Sequence, residues 1–110
     1  MIVSCGIQLY MYGIRQTSTY KRWFTALKDR KVRTRIDVRI RRLSLGNPGD
    51  VKPVGQGVSE LRINFGPSYR VYFIQKRNVI VILLMGGSNA TQSEDIRKAH
   101  LLARQIEEIN

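Results

Sequence analysis

The sequence predicts a small α+β domain: a twisted, mostly antiparallel sheet with two N-terminal helices packed on one side and a C-terminal helix expected on that same side. Three patterns carry this reading. Apolar residues recur at helical spacing between Tyr20 and Leu43, residues alternate between Val58 and Gln75, and an unbroken apolar run spans Val79 to Met85. The chain has 110 residues, enough for one domain, with residues 1–10 as a candidate N-terminal extension and Met11 as an alternative start.

Met11 to Gln16 reads as a short first strand. Thr17, Ser18 and Thr19 supply helix caps, and Tyr20, Trp23, Phe24 and Leu27 then fall at i, i+3, i+4 and i+7, the spacing of one buried helix face. A second helix is expected from Asp29 to Leu45, with Val32, Ile36, Ile40 and Leu43 on one stripe and arginines over the rest. Four glycines and two prolines between Leu45 and Gly57 predict a loop without regular structure.

Val58 to Phe65 and Tyr69 to Gln75 form a predicted hairpin around Gly66-Pro67-Ser68, pairing Phe65 with Tyr69, Ile63 with Val71 and Leu61 with Phe73. These six share one apolar face. Glu60, Arg62, Asn64, Arg70 and Tyr72 then share the other. Val79 to Met85 reads as a central strand broken by Gly86-Gly87. Thr91 with Glu94 forms a capping box for a last helix buried along Ile96, Ala99, Ala103 and Ile106.

Composition narrows the function classes. With 19 Lys and Arg against 8 Asp and Glu, the net charge is +11, and a polyanion is the first partner to consider. The single cysteine, Cys5, excludes an internal disulfide and a cysteine-based zinc site, and suits a reducing, cytoplasmic setting. The longest apolar run is too short to span a bilayer, so no membrane role is expected. One histidine, His100, and no carboxylates at ligand spacing leave neither a metal site nor a Ser-His-Asp set, and no cofactor fingerprint is present.

The remaining chemistry lies in Arg62, Arg70 and Tyr72 on one sheet face, with Lys52 in the loop before it. Metal-free RNA cleavage proceeds by attack of a 2′-hydroxyl on the adjacent phosphorus. Guanidinium groups suit the growing negative charge because they stay charged and bond two oxygens at once. A tyrosine beside them stacks on a base or moves a proton. Arg39 and Arg42 on the second helix and Lys76 and Arg77 at the strand turn are the accompanying RNA-binding candidates. A solvated sheet face whose arginines pair with Glu60 satisfies the same spacing.

Several motifs in one order carry a resemblance. Ala26 to Arg30, Arg42 to Lys52, Gly57 to Ile63, Gly66 to Phe73 with its Tyr69-Arg70-Val71-Tyr72-Phe73 centre, Leu83 to Gly87, and Thr91-Gln92 through Asp95-Ile96 resemble the phage-derived, HigB-like addiction module killer proteins of the RelE/ParE toxin superfamily. The resemblance covers about residues 11 to 108. It implies a RelE/ParE-like fold and a cytoplasmic toxin held by a cognate antitoxin, a small DNA-binding protein. It also implies an endoribonuclease that inhibits translation by cutting mRNA on the ribosome through a cyclic phosphate. It maps the cleft onto Arg62, Tyr69 and Arg70, although the predicted register turns Tyr69 toward the apolar face. The family commonly has Asp-Lys after Gly-Gly, where this chain has Ser88-Asn89. Two rivals stay open: a ParE-like gyrase-blocking toxin, and an RNA-binding module without catalysis.

Overall fold

The computed structural model describes residues 12–64, 68–77 and 79–109, with residues 108 and 109 described by backbone alone. Its elements are β1 (Gly13–Gln16), α1 (Ser18–Ala26), α2 (Arg30–Ser44), β2 (Val51–Pro53), β3 (Ser59–Asn64), β4 (Ser68–Lys76), β5 (Ile80–Ser88), one 3₁₀ turn (Asn89–Thr91) and α3 (Gln92–Ile109). The strands form one sheet in the order β1-β5-β4-β3-β2. All neighbours are antiparallel except β1 and β5.

Both early helices start where a side chain can cap them. Thr17 Oγ1 accepts from the Tyr20 amide at 3.0 Å and donates to the Leu84 carbonyl at 2.5 Å, so the cap also ties α1 to β5. Asp29 accepts from the Lys31 amide at 2.9 Å and opens α2. The apolar stripes then bury as their spacing demands. Tyr20, Val32, Ile36, Ile40 and Leu43 pack with Leu61, Ile63, Val71, Phe73, Val81 and Leu83 in one core. Trp23, Phe24 and Leu27 flank it, so the aromatic pair on α1 serves packing.

The third helix corrects the expected layering. Ala99 and Ala103 of α3 are buried against Val58, Tyr72, Ile74, Leu84 and Met85, a second core on the opposite face of the sheet. The sheet therefore has α1 and α2 on one side and α3 on the other. The reason lies in β3 and β4: Val58 and Ile74 share the face of Glu60 and Tyr72, and that apolar surface has to be covered.

Three smaller corrections follow from hydrogen bonding and close packing. The predicted loop contains β2, whose Val51, Lys52 and Pro53 pair with Leu61, Glu60 and Ser59; Pro53 is tolerated because β2 is an edge strand. The hairpin register slips by two residues, to Ile63–Tyr69, Leu61–Val71 and Ser59–Phe73, and pairing reaches Asn64–Ser68, where the Ser68 hydroxyl donates to Asn64 Oδ1 at 3.3 Å. An even slip keeps each side chain on its face. Thr91 makes no box with Glu94; its hydroxyl donates to Asp95 Oδ2 at 2.6 Å.

Gly86 and Gly87 do not break β5, which runs through them to Ser88. A bulge beside Leu84 turns both Leu84 and Met85 toward α3. A methyl group on Gly86 would then collide with the Trp23 ring of α1, and one on Gly87 with the Asp95 carboxylate of α3. The two glycines are needed for close approach of a helix from each side. Expectations for residues 1–11, for Phe65, Gly66 and Pro67, and for Asn78 fall outside the described residues.

Candidate functional site

The hairpin register sets the site. Arg62 of β3 lies directly opposite Arg70 of β4, and Glu60 directly opposite Tyr72; all four are on the face toward α3. Like charges facing each other across a strand pair are destabilising unless compensated. The compensation is Glu60, whose side chain is fully buried. Arg70 Nε lies 3.3 Å from Glu60 Oε2, and Arg62 Nε lies 4.0 Å from Glu60 Oε1 and 3.4 Å from Asp50 Oδ1.

Glu60 Oε2 also accepts from the Tyr72 hydroxyl and from Gln92 Nε2 at the start of α3, each at 3.0 Å. Arg70 donates in addition to Asn89 Oδ1 in the 3₁₀ turn. The buried carboxylate is thus a hub joining β3, β4 and α3. Burial, reinforced by the neighbouring Glu60 charge, holds the Tyr72 phenol well above its ordinary range, so it stays a proton donor to that carboxylate.

The three predicted catalytic residues therefore meet, but around an acid. Tyr72 is fully buried and its hydroxyl is committed to Glu60. Arg70 is nearly buried, between Glu60 and Asn89. Arg62 keeps 37% of its side chain exposed. It is the member of the three best placed to meet a ligand. The two arginines and the two carboxylates balance one another, so this patch is close to electrically neutral despite the basic chain.

The other candidates scatter. Lys52 pairs in register with Glu60, which puts it on the site's face, exposed at the edge strand. Tyr69 packs against the opposite core, as the sequence register implied. Arg39 is spent on backbone: it donates to the Arg62, Pro48 and Asp50 carbonyls, the last two at 2.9 and 3.3 Å, pinning the loop before β2 to α2. Arg42 is exposed on α2, on the far side of the sheet from Glu60. Lys76 and Arg77 sit at the end of β4 away from Arg70. His100 Nε2 lies 2.9 Å from the Val54 carbonyl and anchors α3 to the β2–β3 loop.

Glu60 as organiser, with Gln92 as its partner on α3 and Asn89 as the partner of Arg70, carries no functional signal in the sequence pattern. The departure at Ser88-Asn89 was the one signal that marked Asn89. Among the described residues no group of three or more His, Cys, Asp or Glu is placed to hold a metal ion. No helix among them is long and apolar enough to cross a membrane.

Comparison with known proteins adds three findings. No family model matches the chain. An uncharacterized protein of Haemophilus influenzae is 45% identical over 93 residues, which is 84% of this chain and 94% of that protein. Among solved structures, a chain from the RelBE2 toxin–antitoxin complex of Mycobacterium tuberculosis superposes with a TM-score of 0.57 at 20% identity, covering 76% of this chain and 97% of that one. The chain belongs to the same family as the Haemophilus influenzae protein, and its fold is of the kind seen in the RelBE2 complex.

Proposed function

We propose that this chain is the toxin of a type II toxin–antitoxin module and acts as a ribosome-dependent mRNA endoribonuclease, without a metal. The fold likeness to a chain of a toxin–antitoxin complex supports the toxin reading, and the +11 charge supports a polyanionic target. The observation that carries the chemistry is the pair of arginines facing each other across β3 and β4. Glu60 offsets their mutual repulsion and holds both guanidiniums on one sheet face. They suit an anion that needs both.

In this reading Arg62 is the residue that meets RNA. Its ion pair with Asp50 is half-exposed and therefore weak, so a phosphate can replace the Asp50 carboxylate at little cost. Arg70, fixed by Glu60 and Asn89, lies behind it and supplies positive potential to a phosphorane. Tyr72 and Glu60 are positioning residues that hold Arg70. Lys52 stands at the edge of the same face. A cognate antitoxin, a small DNA-binding protein with an acidic or amphipathic segment, would offset the positive charge when bound.

The test is inducible expression with growth and RNA integrity followed together. Native protein is expected to stop growth and to leave messages cut at ribosomal A-site codons. Arg62→Ala is expected to lower cleavage about 10²–10³-fold, as for loss of one oxyanion donor. Intact message at growth arrest would overturn the nuclease reading. One observation favours a second reading. Glu60 and Asp50 neutralise the arginines, and Asn89 occupies the place where the family commonly has lysine, an arrangement that fits a ParE-like gyrase inhibitor without RNase activity. Arrest with a DNA-damage response and whole mRNA would establish it.

A further inference from the structure

At the far end of the sheet from Glu60, on the face that α3 covers elsewhere, a pocket of about 340 Å³ remains open. The strand register builds it. Arg15 of β1 is paired with Ile82 of β5, and Lys76 of β4 with Ile80 of β5, so two cations flank two isoleucines on one face. Arg77 completes the wall. Leu84 and Met85, further along β5, are buried under α3, whereas Ile80 and Ile82 stay half-exposed. Lys76 lies six residue steps along β4 from Arg70, about 20 Å in an extended strand, so this is a separate place from the Glu60 cluster.

We propose that Arg15, Lys76 and Arg77, over Ile80 and Ile82, form a binding pocket for a nucleoside monophosphate group, presented as a free mononucleotide or as the phosphorylated end of an RNA strand. Three features select that ligand. Among the described residues no carboxylate lines the pocket, so the three cations suit an anionic ligand. A phosphate monoester carries close to two negative charges and three acceptor oxygens, which three basic side chains can share and one carboxylate cannot satisfy. The volume is at the lower end of small-ligand sites, larger than a bare anion needs, and the isoleucine floor offers apolar surface for a base or ribose.

Arg77 adds a conformational argument. Its backbone is left-handed, with φ of 55°. Glycine or asparagine adopts that conformation at less cost, and this chain has an arginine there. A side-chain role in the pocket accounts for the choice. The mononucleotide form of the proposal is independent of the nuclease reading. The RNA-end form rests on it.

The test uses the full chain and follows the Ile80 and Ile82 methyl signals by NMR during titration with AMP, adenosine and inorganic phosphate. It is repeated with hexanucleotides bearing a 5′-phosphate or a 5′-hydroxyl, and with a short poly-glutamate peptide. AMP is expected to shift both methyls. Adenosine is expected to bind about tenfold or more weakly, because a charged hydrogen bond is lost. Arg15→Gln and Arg77→Gln should each weaken AMP about tenfold while the remaining spectrum stays native. Tighter binding of the 5′-phosphorylated hexamer than of AMP assigns the RNA end; equal binding assigns the free nucleotide. Unmoved methyls with AMP overturn the proposal, as does poly-glutamate binding more tightly than AMP. Message cleavage that depends on Arg62 is a separate readout, so its failure and the failure of this pocket are told apart.

Discussion

The Glu60 carboxylate and the Tyr72 hydroxyl sit 3.0 Å apart, directly opposite across β3 and β4, with neither residue exposed to solvent. Arg70 leans on the same oxygen. Removing the acid strands a guanidinium that has almost no water to replace it. Glu60→Gln is expected to cost about 3–5 kcal/mol, read from the urea unfolding midpoint, while Tyr72→Phe costs about 1 kcal/mol. A Glu60→Gln cost no larger than that of Tyr72→Phe would show that the carboxylate is not holding Arg70.

Alkaline titration checks the same burial. Burial, together with Asp37 for Tyr20 and Glu60 for Tyr72, raises both phenols above their ordinary range. The unfolded chain loses these protons near pH 10 and the folded chain keeps them. The folded state therefore binds more protons above that pH, and stability falls as pH rises through the ordinary phenol value. Of the chain's five tyrosines, Tyr20 and Tyr72 are expected to ionise only together with unfolding, measured as ultraviolet phenolate absorbance against circular dichroism.

Tyr20 supports a stabilising change. Its hydroxyl is buried and has no hydrogen-bond partner among the described residues. Tyr20→Phe keeps the ring against Trp23 and Phe24 and removes an unsatisfied polar atom. The melting temperature is expected to rise by several degrees, for a gain of about 1–2 kcal/mol.

Asn89→Lys separates stability from activity. Asn89 accepts a bond from Arg70, and a lysine in its place sets an ammonium beside that guanidinium. Stability is expected to fall by about 1–3 kcal/mol. If the missing lysine limits the proposed cleavage, message cutting rises about tenfold or more in the same variant. A loss of both properties would argue that Asn89 serves Arg70 alone.

How far the sequence reached can be judged from particular residues. The alternation from Val58 to Gln75 placed Leu61, Ile63 and Val71 on one face and Glu60, Arg62, Arg70 and Tyr72 on the other, and two residues of slip left that division intact. The stripe Ile96, Ala99, Ala103 showed that the last helix buries one side, but a stripe does not say which sheet face receives it. Val58 and Ile74, on the polar-looking face, carry that signal. Gly86 and Gly87 read as a strand end because glycine ends strands more often than it admits a ring or a carboxylate against the backbone. The arginine cluster was legible; its neutralisation was not, since a period of two brings Glu60 to the correct face without showing that α3 seals it from water.

The glycine pair has a practical outcome. Trp23, the chain's sole tryptophan, touches the β5 backbone at Gly86 from one side, while Asp95, bonded to Thr91, touches it at Gly87 from the other. One peptide unit thus separates an indole from the Asp95 carboxylate, which holds Thr91 in the same 3₁₀ turn as Asn89, the partner of Arg70. Intrinsic fluorescence is therefore a built-in gauge: a ligand that displaces Asn89 or Asp95 is expected to alter the light emitted from the opposite layer, with no label attached.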